Sequence, residues 1–341
     1  MSLVEVDNSK VYLRQSNALT TAAYTLSRNE KRLVYLALDK ILNNKVQEER
    51  GRFDVVIQHS EYASYFDEKH KNVSRDISKA SAALNKREIV FYVPSEDGDD
   101  GEKALDGLSW TTKRSVRPKR GTTLLSFNAE LVDLIRADKK YTGYFLHNAA
   151  KLNNPYSMRL YESLRQWVTL KRKNNERAGG DRSKEQCVNF GIDWLIERYE
   201  LPASYRRMSD FRRRFLIPAV EEISNKTDLL VSYNENSAKG GRKNSVVSIT
   251  FKWTEKNEPK EDYGVDIEDY VDLSKPPVKE EHEEDVFVEM GLVYLDTFNA
   301  DSTAPSMEWA MDFMMCYQRV RGEVPTDLLK QSLLNRVTLH S

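Results

Sequence analysis

The sequence predicts an α+β fold of two tandem winged-helix domains, a pseudo-repeat, followed by an acidic linker and a short helical C-terminal extension. Three observations predict it. The order helix, strand, helix-turn-helix, hairpin can be read twice within the first 254 residues. In both copies the second helix of the helix-turn-helix sets basic side chains opposite an apolar face. Charge is also segregated along the chain. Residues 1–254 carry 44 Lys+Arg against 33 Asp+Glu, a net of +11, whereas residues 255–285 carry 13 acidic and 4 basic side chains, a net of −9. The formal net charge of −1 over 341 residues therefore hides a basic body that suits acidic partners.

In the first copy, Ser27 is placed as N-cap of a helix through Leu42, and Glu30, three residues on, completes a capping box. Leu33, Leu36, Ala37 and Ile41 recur at helical spacing. Phe53–Ile57 alternates as a strand. Ser60–Phe66 reads as a short helix, a turn spans Asp67–Lys71, and a second helix covers Asn72–Leu84. Glu88–Val93 and Thr122–Phe127 are expected to form a hairpin around a long polar insertion.

The second copy opens at Asn154-Pro155 with a helix through Tyr161, Leu164 and Val168. A basic loop, Lys171–Lys184, leads to the strand Cys187–Phe190 and the helix Ile192–Tyr199. A turn at Glu200–Tyr205 precedes a helix from Ser209. The strands Leu229–Tyr233 and Val246–Trp253 then enclose the tip Ala238–Lys243. After it, Pro259, Pro276 and Pro277 and the run of carboxylates mark a solvated linker, and Val286–Phe298 and Met307–Val320 are apolar enough for two helices. A small helical hairpin packing on the body and a docking segment for a host or copy-number partner are both open. The domains expected are 1–146 (dimerisation and DNA contact), 147–254 (the main DNA reader), 255–285 (the linker) and 286–341 (the extension).

Projected at 100° per residue, Val73, Ile77, Ala80 and Leu84 share one face of the first such helix, with Arg75, Ser78 and Lys79 opposite. In the second, Phe211, Phe215, Ala219 and Ile223 form the apolar side, while Arg207, Asp210, Arg213 and Arg214 point away from it. Arg212 falls near the apolar flank and is expected to serve a salt bridge more than a ligand. A guanidinium can meet guanine O6 and N7 in a bidentate pair, and a neighbouring Asp can accept from cytosine N4 or hold an Arg in register. Any solvated helix face also collects Arg and Lys. The duplication of the pattern, each time before a hairpin with a basic tip, weighs toward DNA. The tip residues are Lys239, Arg242 and Lys243 in the second copy; the run Lys113–Arg120, with Lys119 and Arg120, suits a first wing or a loop.

Other chemistry finds little support. None of the 14 glycines builds a GxxxxGK[ST] phosphate loop, and no GxGxxG follows a strand. Two cysteines, Cys187 and Cys316, are too few for a disulfide framework in a chain of this size and suit a reducing cytoplasm. The five histidines and two cysteines match no metal-ligand spacing, so neither metal nor cofactor is expected. No apolar run approaches the roughly 20 residues of a membrane span, and the N-terminus shows no signal-peptide core. Tyr161, Tyr199 and Tyr205 read as core or interface aromatics rather than nucleophiles. A non-enzymatic binder is expected.

Four stretches carry a family resemblance: NALTTAAYTLSR at Asn17–Arg28, NPYSMRLYESL at Asn154–Leu164, DWLIERYELP at Asp193–Pro202 and SYRRMSDFRRRFL at Ser204–Leu216. They resemble motifs of theta-type plasmid replication initiators, the Rep_3 family, and its RepE-like members above all, over about residues 13–253. The resemblance implies two winged helices that read direct repeats (iterons) at an origin as a monomer, and a dimer that represses its own gene at an inverted repeat. It also implies host DnaA, DnaB and chaperones as partners. Carried onto this chain, the main base-reading helix bears Arg207, Asp210, Arg213 and Arg214, with Arg206 beside them among the DNA-binding residues, and Ser74, Arg75, Ser78 and Lys79 form its N-terminal counterpart. Two features depart from the family pattern. Pro218 is expected to kink or end the reading helix, and residues 255–341 extend beyond the resemblance. A repressor without an initiation role and a DNA-processing enzyme are the rival readings.

Overall fold

The computed structural model describes residues 11–68, 70–93, 103–137, 139–177, 185–237, 246–256, 284, 287–288, 291–292 and 306–321. The chain begins with β1 (Tyr12–Ser16), α1 (Asn17–Thr21) and α2 (Arg28–Leu42). The capping box forms as the sequence predicts: Ser27 N–H donates to Glu30 Oε2 at 2.7 Å, and Glu30 N–H donates to Ser27 Oγ at 3.4 Å. β2 (Gln47–Glu49), β3 (Arg52–Gln58), α3 (His59–Tyr65) and α4 (His70–Leu84) follow. In β3 the alternation buries Phe53, Val55 and Ile57, and in α4 the predicted face of Val73, Ile77, Ala80 and Leu84 is buried.

The expected hairpin between Glu88–Val93 and Thr122–Phe127 does not form. β4 (Glu88–Tyr92) pairs instead with β5 (Leu105–Ser109), and β6 (Lys113–Arg117) pairs with β7 (Thr122–Asn128) across a 3-10 turn at Pro118–Arg120. The polar insertion thus supplies a strand to each of two hairpins. Trp110 lies between them, fully buried edge-on to Tyr24. The first sheet runs β2-β3-β7-β6. α5 (Ala129–Arg136), β8 (Tyr141–Phe145), antiparallel to β1, and α6 (Leu146–Ala150) complete this half.

α7 (Pro155–Arg177) is 23 residues long, so Lys171–Arg177 continues a helix where a loop is expected. Its Lys, Arg and Glu residues are good helix formers and nothing in the stretch breaks the turn. The remainder of that expected loop, 178–184, lies outside the described residues. β9 (Gln186–Gly191), α8 (Ile192–Arg198) and a 3-10 turn at Ala203–Arg206 lead to α9 (Met208–Phe211), a π-turn at Arg212–Leu216 and α10 (Ile217–Lys226). β10 (Leu229–Ser237) and β11 (Val246–Glu255) form the second wing, and the sheet runs β10-β11-β9. In both halves the strand preceding the helix-turn-helix pairs with the second strand of the wing (β3 with β7, β9 with β11).

Pro218 does not end the helix. The Ile217 N–H reaches back five residues to the Arg212 carbonyl, and this wider turn gives the pyrrolidine ring room where a regular turn would bring a carbonyl against it. Helical conformation then continues to Lys226.

One hydrophobic core runs through both halves, from Leu13 and Tyr35 through Tyr144 and Tyr161 to Phe211 and Trp253. Tyr161, Tyr199 and Tyr205 are buried in it. A separate cluster joins Phe287 and Val288 to Trp309, Ala310, Phe313 and Cys316 of α11 (Met307–Arg321), leaving Met311, Met314 and Met315 exposed. Most of the acidic segment lies outside the described residues, as does most of Val286–Phe298. No helix among the described residues is long and apolar enough to cross a membrane.

Candidate nucleic-acid interface

The second helix-turn-helix presents three guanidinia around one carboxylate. The side chains of Arg207, Arg213 and Arg214 are 76%, 70% and 52% exposed, while that of Asp210 is 11% exposed. Arg213 Nη2 donates to Asp210 Oδ1 at 2.9 Å; Arg207 Nη2 lies 3.2 Å from Oδ2 and Arg214 Nε 3.3 Å from Oδ1. The hydrogen bond from Arg213, then the charges of Arg207 and Arg214, hold the Asp210 carboxyl below its ordinary range. The cluster arises because Phe211 and Phe215, four apart and fully buried, turn the opposite side of the helix outward. Arg206, on the preceding turn, donates to Asp193 Oδ1 at 3.0 Å.

Arg212 serves a salt bridge, as the sequence predicts. Its Nε and Nη2 each donate to one Glu235 carboxylate oxygen at 2.6 Å, tying the π-turn to wing strand β10. A cluster missed by sequence reasoning braces the same wing. Asn236 Nδ2 lies within hydrogen-bond reach of Asn189 Oδ1 (2.7 Å), Thr250 Oγ1 (2.8 Å) and Ser248 Oγ (3.1 Å), crossing all three strands. No sequence signal could have found it, because Asn189 and Asn236 become neighbours only through strand register. Lys239, Arg242 and Lys243 lie outside the described residues.

In the first half, Arg75 and Lys79 stand exposed on α4, and Ser74 and Ser78 are half-buried beside them. Arg75 Nε lies 3.3 Å from Asp76 Oδ1. Lys119 and Arg120 occupy the tip of the β6-β7 hairpin, where Gly121 takes a left-handed φ of 62° to close the turn. The His59 N–H donates to the Gly121 carbonyl at 2.8 Å, fastening this wing to the start of α3. Both helix-turn-helix units therefore pair an outward basic helix face with a wing fastened to the same unit. Among the described residues no group of three or more His, Cys, Asp or Glu side chains could hold a metal ion.

This architecture defines a tandem winged-helix DNA-binding protein. Residues 12–165 match the family model described as "Initiator Replication protein, WH1", and residues 191–253 match that described as "Initiator Rep protein, WH2". The chain belongs to the Rep3 family of plasmid replication initiators. It is 29% identical over 242 residues to an uncharacterised 27.6 kDa protein of Escherichia coli, covering 67% of this chain and 90% of that protein. It is 26% identical over 265 residues to the PI protein of Escherichia coli, covering 72% of this chain and 83% of that one. Among solved structures, the Pi initiator protein in complex with iteron DNA superposes with a TM-score of 0.55 at 21% identity, over 73% of this chain and 99% of that chain.

Proposed function

We propose that the chain binds iterons at a plasmid replication origin as a monomer and promotes opening of that origin, and that its dimer represses its own gene at an inverted repeat. The observation carrying this reading is the duplication of one device. α4 exposes Arg75 and Lys79, and the helix of α9, the π-turn and α10 exposes Arg207, Arg213 and Arg214. Two dissimilar readers in one chain suit a long asymmetric repeat read by a monomer better than a symmetric operator read by a dimer. The likeness in fold to a protein solved on iteron DNA adds support.

Ser74, Arg75, Ser78 and Lys79 contact one stretch of major groove in this reading, and Arg206, Arg207, Asp210, Arg213 and Arg214 another. Lys119, Arg120, Lys239, Arg242 and Lys243 meet phosphates from the two wings. Host DnaA, DnaB and chaperones are the partners that membership of the family suggests, and the cytoplasm is the compartment. The protein works by binding, with no covalent chemistry of its own.

A footprint of purified protein on the DNA flanking its gene tests this. Protection of direct repeats of about two helical turns each, roughly 20 base pairs, over random duplex is expected; equal affinity for both overturns the reading. Supercoiled origin DNA incubated with protein and Mg²⁺ should show local strand opening and no nick or protein-DNA adduct. Repression of the promoter without any opening of the origin would favour the repressor alternative.

A further inference from the structure

α7 belongs to both halves of the molecule. Its first part falls within the stretch matching the first winged-helix model, yet it is also the opening helix of the second unit. Its buried polar side chains face both ways. Glu162, fully buried, accepts hydrogen bonds from Lys31 Nζ at 2.8 Å, Tyr35 OH at 2.9 Å and Tyr144 OH at 3.2 Å, all from the first half. Tyr161 OH, one residue before Glu162, donates to Asp228 Oδ1 at 2.8 Å in the second half, and one turn further on Arg165 Nη1 donates to Asp228 Oδ2 at 2.7 Å while its Nε lies 3.4 Å from the Gly143 carbonyl of the first half. Arg159 spans the two halves as well. Its Nη2 donates to the Ala22 carbonyl at 2.7 Å and lies 3.4 Å from the Arg198 carbonyl, and its guanidinium covers the Tyr24 ring at 3.7 Å.

Apolar contacts alone allow two packed units to slide by fractions of a turn with little loss, because dispersion is non-directional. A buried ion pair does not. Any rotation of one half that separates Lys31 from Glu162 strips the buried carboxylate of its cation, leaves Lys31 with only the Tyr24 hydroxyl (2.8 Å) and ring faces of its own half, and frees the two tyrosine hydroxyls. The outer contacts repeat the constraint: the β4-β5 hairpin grips α8 through Arg198 over the Tyr92 ring at 3.6 Å and Lys103 Nζ to Glu197 Oε2 at 2.9 Å.

We propose that Lys31 and Glu162 are positioning residues that lock the two reading helices into one rigid ruler, so that binding depends on the exact number of base pairs between the two elements each repeat presents. This rests on the two-domain reading given above. Each inserted base pair displaces the second element by about 3.4 Å and rotates it by about 35°. A jointed pair of domains would follow that change and a locked pair cannot.

The test uses the full chain and a single repeat, with one or two base pairs inserted between the two elements located by footprinting. Wild type should lose at least about tenfold in affinity per inserted pair, toward the level of one domain alone, on the scale of a mismatch. The double variant Lys31→Met/Glu162→Leu removes both charges of the pair together, and with them the carboxylate nearest the buried Arg159 guanidinium. Its folding is checked by circular dichroism. It should bind the original and lengthened repeats within about threefold of each other, a change that loss of a merely structural contact would not produce. Tyr35→Phe/Tyr144→Phe keeps the ion pair but drops two hydrogen bonds. It should show intermediate discrimination, and it decides the matter should the first variant not fold. Discrimination as sharp as wild type in the folded variants, or a wild type indifferent to insertion, overturns the ruler. A wild type that prefers no repeat over random duplex overturns the proposed function, and the ruler falls with it.

Discussion

Arg213 Nη2 donates to Asp210 Oδ1 at 2.9 Å on the outer face of the second helix-turn-helix, and the same carboxylate lies within 3.3 Å of Arg207 and Arg214. One anion thus gathers three cations into a fixed array. The array keeps part of its positive charge, but the carboxylate repels any phosphate that approaches closely. Asp210→Asn is therefore expected to tighten binding to random duplex while loosening binding to the repeat, lowering the ratio of the two by about tenfold. Arg213→Ala should cost roughly 1–3 kcal/mol and relax discrimination at one base position. Competition gel shifts with single-base variants of the repeat read both. An equal loss on specific and random DNA for Arg213→Ala would show a phosphate contact instead.

The Arg212-Glu235 pair makes a different prediction, because it joins the helix to the wing. Its hydrogen bond from Arg212 holds the Glu235 carboxyl below its ordinary range. Exposed pairs of this kind contribute at most about 1 kcal/mol to stability, so Glu235→Gln should barely move the thermal midpoint. Freed from the helix, the wing should deliver its phosphate contacts less well. Affinity for repeat and random DNA is expected to fall by the same factor, and salt titrations should show a shallower slope. Lys243→Ala should flatten that slope by about one unit. Selective loss on the repeat alone would mean that Arg212 or Glu235 touches bases.

Local signals carried much of the fold. The Ser27-Glu30 capping box, the 3.6-residue face of α4 and the alternation of β3 all stand where periodicity places them. Choices that depend on distant partners were not legible. Glu88–Tyr92 and Thr122–Asn128 both read as strands, but which strand each takes is decided by Trp110 and the insertion folding between them. A 100° wheel also assumes regular turns, so the π-turn that carries the helix past Pro218 leaves no trace in such a projection. Lys31 and Glu162, 131 positions apart, look like ordinary surface charges until α7 brings them together in the core. The exposure of Arg75, Lys79, Arg207, Arg213 and Arg214 was legible because its signal is local: apolar spacing on one side of a helix defines what lies on the other.

His59 offers a pH test of the first half. Its ring is buried at the start of α3, with Nε2 3.0 Å from Thr123 Oγ1, and burial lowers its pKa. A histidine kept neutral in the fold favours the unfolded chain as protons become available. Its contribution is complete above the ordinary value of about 6.5 and is lost as pH falls from there through the folded pKa. The urea midpoint of wild type should therefore drop more between pH 7.5 and pH 5 than that of His59→Gln. Parallel curves for the two proteins would show that His59 does not carry the difference.

The C-terminal helix is the place to ask whether the extension and the body fold as one. Phe313 stacks on Trp309 with ring centroids 5.0 Å apart and meets Phe287 edge-on at 6.0 Å, in a cluster separate from the main core. Gly291 is packed so closely that an added Cβ would run into the Phe313 ring. Removing a buried phenylalanine costs about 3–5 kcal/mol, more than so small a cluster can supply. Phe313→Ala and Gly291→Ala should therefore both abolish protection of the α11 amides against hydrogen exchange. The thermal midpoint of the body and its affinity for DNA should stay unchanged, because no residue of the main core loses a neighbour. A body that melts earlier in both variants would show that the extension packs on it, and α11 would then belong to the same cooperative unit as the two winged helices.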